Sequence, residues 1–278
     1  PTTAGALPPS TESAEVIFLG TGTSVGVPAI GCDCDVCQSD DPKNNRTRCS
    51  IVVKLPGGNL LIDTPPELRI QLLREKVPLI HSVVFTHEHA DHLFGLDDVR
   101  LFPFRLGHAV PLYCQSHVED RIRKSFDYAF SNRSATHPGS RPQLEFQNIT
   151  EAPFHVLDTQ LIPIPLKHGP HFDVLGFRIG NFAYCTDTNE VPESSMALLE
   201  GLETLVIDAL RYKPHPTHFC VDEALEVIDR LKPKQAYLTH ICHDLDHEVV
   251  DRELPSNVHL AYDGLRLAIG QLHSVNSV

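Results

Sequence analysis

Four metal-ligand side chains packed into six residues, His87-x-His89-x-Asp91-His92, constrain this chain more than any other feature of its sequence. They follow directly on Ser82–Thr86, a stretch apolar enough to be a buried strand. A strand that ends at a sheet rim hands its next residues to a loop, where side chains can converge on one point. Histidines two apart in an extended loop can share an ion, and Asp91 and His92, opening the next helix, can turn toward a second. Imidazole and carboxylate together suit Zn²⁺, Mn²⁺ or Fe²⁺. The plain alternative is a hydrated histidine-rich loop, which a lone histidine would favour and a run this dense does not.

Four ligands cannot complete two coordination spheres that also hold water, so others must come from elsewhere. Three residues stand at the ends of β-like runs, as His87 does. His168 follows Ile164–Lys167, Asp187 follows Ala183–Thr186, and His240 follows Ala236–Thr239. Together they fit one rim of a layered sheet. Asp63 also closes a strand-like run, where it could orient a ligand histidine. Capping a helix that starts near Pro65-Pro66 is the competing role for it.

The rest of the chain is strand-rich with helices interposed. Glu15–Gly20 reads as a strand that runs into a glycine-rich loop, and Ser50–Leu55 with Asn59–Asp63 as a hairpin around Pro56-Gly57-Gly58. Pro66–Glu75, Glu193–Leu199 and Val221–Leu231 read as helices, the last clearly amphipathic, and Thr204–Asp208 and Gln235–Thr239 as strands. Residues 1–14, rich in Pro, Thr and Ser, read as a mobile leader, and 15–278 as one domain. Within it, 103–148 reads as an inserted helix-and-loop segment over one edge of the core. The loop glycines Gly20, Gly22 and Gly26 miss dinucleotide spacing and no Gly-Lys-Ser/Thr follows, so a tight turn near the metal centre is expected instead.

Cys32, Cys34 and Cys37 offer three thiolates in one short loop, a soft set that suits tetrahedral Zn²⁺ but lacks a fourth ligand. Cys242 is one candidate on chemistry alone. The other cysteines (Cys49, Cys114, Cys185, Cys220) lie in mostly apolar surroundings and, like Cys242, read as buried free thiols, which points to a reducing cytoplasm.

These features resemble the metallo-β-lactamase superfamily, whose His-x-His-x-Asp-His motif is followed by a His, an Asp and a His. Within it the chain resembles the phosphoribosyl cyclic phosphodiesterase (PhnP) family. The matching features are Gly20-Thr21-Gly22-Thr23-Ser24, Gly26-Val27-Pro28, Cys32-x-Cys34-x-x-Cys37, Leu61-Ile62-Asp63, Thr186-Asp187-Thr188 and Leu238-Thr239-His240-Ile241-x-His243. The match runs from about Glu15 to Gly270. It implies an α/β fold, an αββα sandwich of two facing mixed sheets with helices outside. It also implies that His87, His89 and His168 hold one ion, that Asp91, His92 and His240 hold a second, and that Asp187 bridges them. Two such ions, roughly 3.5–4 Å apart, can share a hydroxide that attacks phosphorus. The resemblance makes His243 the fourth ligand of a structural zinc and His218 the general acid, with Asp91 beside it as a catalytic residue. His215 and His171 are lesser candidates for the acid, and Arg100 and Arg105 could meet a phosphate.

A net charge of −13, from 36 acidic and 23 basic residues, makes a long nucleic acid a poor partner. That weighs against a tRNA 3′-processing endonuclease, and the carboxylate-rich site weighs against a β-lactamase. A non-catalytic metal-binding module would tolerate loss of ligands, whereas the set here is complete. No apolar run approaches the roughly 18 residues of a membrane span. The expectation is a metal-dependent phosphodiesterase acting on a small phosphate ester, cyclic ones included, with two catalytic ions (Mn or Zn, with Fe a third option). A homodimer is left open.

Overall fold

The computed structural model describes residues 14–131, 136–137 and 139–270. The leader expected over residues 1–14 lies outside these, apart from Ala14, which opens the first strand. Two mixed sheets, each of seven strands, form the centre. The first holds β1 (Ala14–Gly20), β2 (Ser50–Leu55), β3 (Gly58–Ile62), β4 (Ser82–Val84), β5 (Val110–Cys114) and β6 (Leu144–Asn148). The second holds β7 (Phe154–Val156), β8 (Thr159–His168), β9 (Phe172–Ile179), β10 (Phe182–Cys185), β11 (Thr204–Asp208), β12 (Gln235–Thr239) and β13 (Val258–Leu260). The chain then returns to the first sheet, where β14 (Arg266–Ile269) pairs with β1.

Alternation along the strands builds the layers. Val16, Phe18, Ile51, Val53, Leu60 and Ile62 of the first sheet share one core with Leu175, Phe177, Phe182 and Val206 of the second. Their neighbours Ile17, Leu19, Val52 and Leu61 face the other way, onto α1 (Leu68–Arg74), α2 (Ala90–Leu93) and, further along, α3 (Pro103–Leu106) to α5 (Asp127–Phe130), with α4 (Ser116–Ser125) between. On the outer face of the second sheet, Leu205, Ile207 and Leu238 pack on α6 (Glu193–Met196), α7 (Val221–Leu231) and α8 (His247–Glu253). The order is helices, sheet, sheet, helices, the αββα sandwich expected. Each buried large aliphatic side chain contributes roughly 1.5–3 kcal/mol, so the strand ends are held firmly from both faces.

The segment 103–148 is more than a cap of helices and loops. It supplies β5 and β6, which extend the first sheet in parallel beyond β4. The helix α7 matches its expected bounds, with Val221, Ala224 and Ile228 buried on one face. Its first turn is closed by the Glu223 carboxylate, which accepts from the Cys220 N–H at 2.8 Å.

Parallel pairing collects the site. β3, β4 and β5 run in one direction, as do β10 to β13. β8 reverses twice relative to β10 through β9, so it too ends at the same rim. Six residues at or just past strand ends therefore meet there: Asp63, His87, His168, Asp187, Asp208 and His240. Among the described residues no helix is long and apolar enough to cross a membrane.

Candidate metal centre

Three of these strand-end residues have positive φ without being glycine: Asp63 (64°), Asp187 (51°) and His240 (60°). Left-handed backbone is costly for such residues, so packing on both sides must hold them in it. It turns each side chain sharply off its strand toward the rim.

Donor atoms of His87, His89, His168 and Asp187 lie within 4.8 Å of one another, and so do those of Asp91, His92, Asp187 and His240. Asp187 belongs to both sets. His92 Nε2 is 3.2 Å from its Oδ1, His240 Nε2 is 3.2 Å from its Oδ2, and His87 Nε2 is 3.9 Å from Oδ2. All seven sequence candidates for the dinuclear site thus come together.

Three of these histidines have their outer nitrogen fixed. His92 Nδ1 donates to Asp63 Oδ2 at 2.8 Å, and His168 Nδ1 donates to the Thr217 carbonyl at 2.7 Å. Thr86 Oγ1 donates to Asp63 Oδ2 at 2.8 Å, so it can only accept from His87 Nδ1, 2.9 Å away. Each bond puts the proton on Nδ1 and leaves the Nε2 lone pair facing inward. The buried Nε2 atoms of His87, His92 and His240 have no hydrogen-bond partner among the described residues. Buried polar atoms are otherwise nearly always paired, and a divalent cation fits these lone pairs and carboxylates. The local field agrees. Burial opposes protonation of His92 and His240, yet Asp187 and Asp91 overcome it, raising His92 well above its usual range and His240 to about 9. The same cluster holds Asp187 far below the carboxylate range despite its burial. It is a trap for positive charge.

Asp63 is fully buried and accepts from the Thr86 N–H as well. Helix capping is not its role, since the N-cap of α1 is Glu67. His218 Nδ1 donates to Asp208 Oδ2 at 2.6 Å, and that oxygen also accepts from the Thr188 N–H at 2.9 Å. The His218 ring stacks on His240 with centroids 4.4 Å apart and 12° between planes. Asp208, His218 and His240 also form a compact donor set, but the 2.6 Å bond makes the first two a carboxylate–imidazole pair. The sequence reading missed Asp208, although a strand closing on a carboxylate, as with Asp63, was a signal for it. It also missed Phe172, whose ring sits 4.6 Å from that of His89 and is 37% exposed.

Arg100 and Arg105 are occupied elsewhere. Arg100 Nη2 lies 2.5 Å from both Asp97 oxygens, and Arg105 donates to the Pro78 carbonyl, contacts that fit a structural role for each rather than a phosphate contact. His215 reaches Thr217 rather than a carboxylate.

The second cluster closes on His243. Its Nδ1 lies 3.1, 3.4 and 3.5 Å from the Sγ atoms of Cys32, Cys34 and Cys37. Cys242, the competing candidate, is not part of this set; it is buried and its Sγ accepts from the Asp244 N–H at 3.3 Å. The backbone N–H of Cys37 helps pull the Cys34 thiol down to about 7, which favours the thiolate that a cation needs. Cys49, Cys114, Cys185, Cys220 and Cys242 are buried and unbridged, as expected.

Residues 58–241 match the model of the Beta-lactamase superfamily domain. The chain belongs to the metallo-β-lactamase superfamily. It is 42% identical to a crystal structure titled a new diphosphatase from the PhnP family, with a TM-score of 0.86 over 93% of this chain and 99% of that one. It is 36% identical over 259 residues to a Porphyromonas gingivalis protein named Octanoyltransferase, covering 92% of this chain and 51% of that protein. The chain spans about half the length of the curated relatives it matches first. Zn²⁺-bound PqqB from Methylobacterium extorquens shares the fold at 19% identity, with a TM-score of 0.74 over 92% of this chain and all of that one.

Proposed function

We propose that this chain is a dinuclear metal-dependent hydrolase that cleaves a small phosphate ester, with phosphodiesters, including cyclic ones, as its preferred class. The observation that carries this reading is the sharing of Asp187 between two buried four-residue donor sets whose Nε2 lone pairs converge. His87, His89, His168 and Asp187 would hold one divalent ion, and Asp91, His92, His240 and Asp187 the other. Such a pair supplies Lewis acidity to a phosphoryl oxygen and an activated water when bound. Zinc, manganese and iron all suit this donor set.

The protein's own residues do the rest. Asp63 and Thr86 keep His92 and His87 in the tautomer that presents Nε2. Asp208 holds the proton on His218 Nδ1, which leaves Nε2 as the atom that delivers a proton to a departing alkoxide. Phe172 walls the approach over His89. The Cys32/Cys34/Cys37/His243 set suits a structural zinc, closed to substrate.

A second reading is a diphosphatase, favoured by the 42% identity to a PhnP-family protein so titled. The His218–Asp208 pair supports the ester, because an alkoxide needs a proton more than a departing phosphate does. The charge of −13 argues against a long nucleic acid, and the unbridged thiols support a reducing compartment such as the cytoplasm.

The test is hydrolysis of bis(p-nitrophenyl) phosphate by protein loaded in turn with Mn²⁺, Zn²⁺ and Fe²⁺, beside Asp187→Ala. Losing the ligand common to both sets should abolish turnover and lower the number of bound ions. Absence of hydrolysis by the unaltered protein with all three metals would refute the reading.

A further inference from the structure

Among the fully buried histidines of the centre, His240 differs from His87 and His92. His87, His92 and His168 are each pinned through Nδ1 by Thr86, Asp63 or the Thr217 carbonyl. His240 is fully buried, and neither of its ring nitrogens has a hydrogen-bond partner among the described residues. Asp208 is near, within 4.8 Å, but makes no hydrogen bond to it. The ring is placed by its stack on His218 and by a backbone held at φ 60°. Its position therefore depends on whatever fixes the turn that carries it.

That turn also carries His243. Ile241 N–H donates to the Thr21 carbonyl at 2.9 Å and the Thr23 N–H donates back to Ile241 at 3.1 Å, lacing the turn to the glycine-rich loop. Arg46, with 1% of its surface exposed, donates to the Cys242 carbonyl at 2.8 Å and the Leu245 carbonyl at 2.6 Å, on either side of His243. The Arg46 backbone pairs in both directions with Val27, just ahead of the cysteine loop, at 2.7 and 2.8 Å. One buried residue thus ties the segment leading into the cysteine loop, through its backbone, to the turn bearing His240, through its side chain.

We infer that the Cys32/Cys34/Cys37/His243 cluster, with Arg46 as a positioning residue, sets the placement of His240, so that filling the thiolate site strengthens the second catalytic metal site. The inference rests on the reading above that both clusters take metal ions. The first site should be insensitive, because His87 and His168 have their own anchors and His89 sits on the loop after β4, away from the turn that bears His240. Coupling of this kind is reciprocal: metal at the Asp91/His92/His240 site strengthens the thiolate site by the same factor.

The experiment compares the unaltered protein, Cys34→Ser, Cys34→His and Arg46→Gln. Zinc content is measured by mass spectrometry, stepwise Mn²⁺ affinity by calorimetry, and apo-protein melting by circular dichroism. Cys34→Ser should lose the zinc and bind its second Mn²⁺ about tenfold more weakly, the usual scale of outer-shell effects, with the first step unchanged. Cys34→His should keep the zinc and the second affinity. Arg46→Gln should weaken zinc retention and the second Mn²⁺ step together. If Cys34→Ser fails to fold, methanethiolation of the half-buried thiols in the folded protein, reversed by dithiothreitol, makes the same comparison, since the other five cysteines are buried. Unchanged Mn²⁺ steps in zinc-free protein overturn the inference, and so does equal weakening of both steps. Failure of the unaltered protein to bind Mn²⁺, Zn²⁺ or Fe²⁺ at the dinuclear site overturns the functional reading itself, and this inference with it.

Discussion

Replacing His218 by asparagine tests the assigned chemistry most directly. The shorter amide can still donate to Asp208 Oδ2, now reached by the imidazole at 2.6 Å, but it has no proton to deliver. A positioned general acid contributes about 10²–10⁴ in rate, or roughly 3–5 kcal/mol of barrier. That loss should appear only where the leaving group needs a proton. The assay is kcat/KM over a series of diesters whose leaving groups range from p-nitrophenolate to a simple alkoxide. The unaltered enzyme should respond weakly to leaving-group basicity, whereas His218→Asn should lose little on p-nitrophenyl esters and up to the full factor on alkyl esters. Asp208→Asn should show the same trend more mildly, because the imidazole remains without its charged partner. His218 stacks 4.4 Å from His240, so metal content must be measured alongside. Equal slowing of every ester with metal content intact would refute the general-acid assignment and would favour a diphosphate substrate.

Other outcomes follow from single contacts. Asp63→Asn tolerates the left-handed backbone but puts an amide N–H against His92 Nδ1 or Thr86, disturbing the tautomer; metal titration should show a loss of about 10–100-fold at the second site. His247 is buried and its pKa is lowered to about 4, mainly by burial and then by Lys43. The folded state therefore binds fewer protons than the unfolded one, and stability present above pH 6.5 should be lost as pH falls toward 4. The loss is at most about 3 kcal/mol, and urea unfolding of His247→Phe at pH 7 and 4.5 should lack that part of the pH dependence. At Gly95, whose N–H donates to Thr64 at 2.8 Å, an added Cβ would fall on the Pro65 carbonyl. Gly95→Ala should cost about 1–3 kcal/mol in chemical denaturation and shift the neighbouring α2, lowering metal affinity; an unchanged midpoint would show that the turn has room to give.

Much of the centre was legible because its chemistry and its topology share one grammar. A run of β-forming residues ending in His or Asp marks a rim position, and His87, His168, Asp187 and His240 all obey it. What sequence could not supply is the pairing of groups distant in the chain. Asp63 meets His92 across 29 residues, and only the parallel register of β3 with β4 sets them side by side. Likewise, Asp208 is an ordinary strand-ending carboxylate until the loop after β11 folds His218 back onto it. Ligand chemistry left Cys242 as a rival to the His243 that the resemblance implied, and the turn geometry separates them by bringing His243 Nδ1 to all three thiols. The strands within 103–148 were not foreseen because β5 and β6 are short and β6 lies at the sheet edge with no fully buried residue, which weakens the strand signal.

The seven side chains of the centre are drawn from both sheets, four from the loop and short helix after β4 and three from the ends of β8, β10 and β12. Ions shared through Asp187 would therefore act as a non-covalent cross-link between the first and second halves of the chain, closing a loop of about a hundred residues from His87 to Asp187. Such a link exists only once both sheets have docked, so its binding energy adds wholly to the folded state. Catalytic competence and the docking of the two sheets then become a single equilibrium. A substitution buried deep between the sheets would register first as a loss of metal, before any loss of secondary structure.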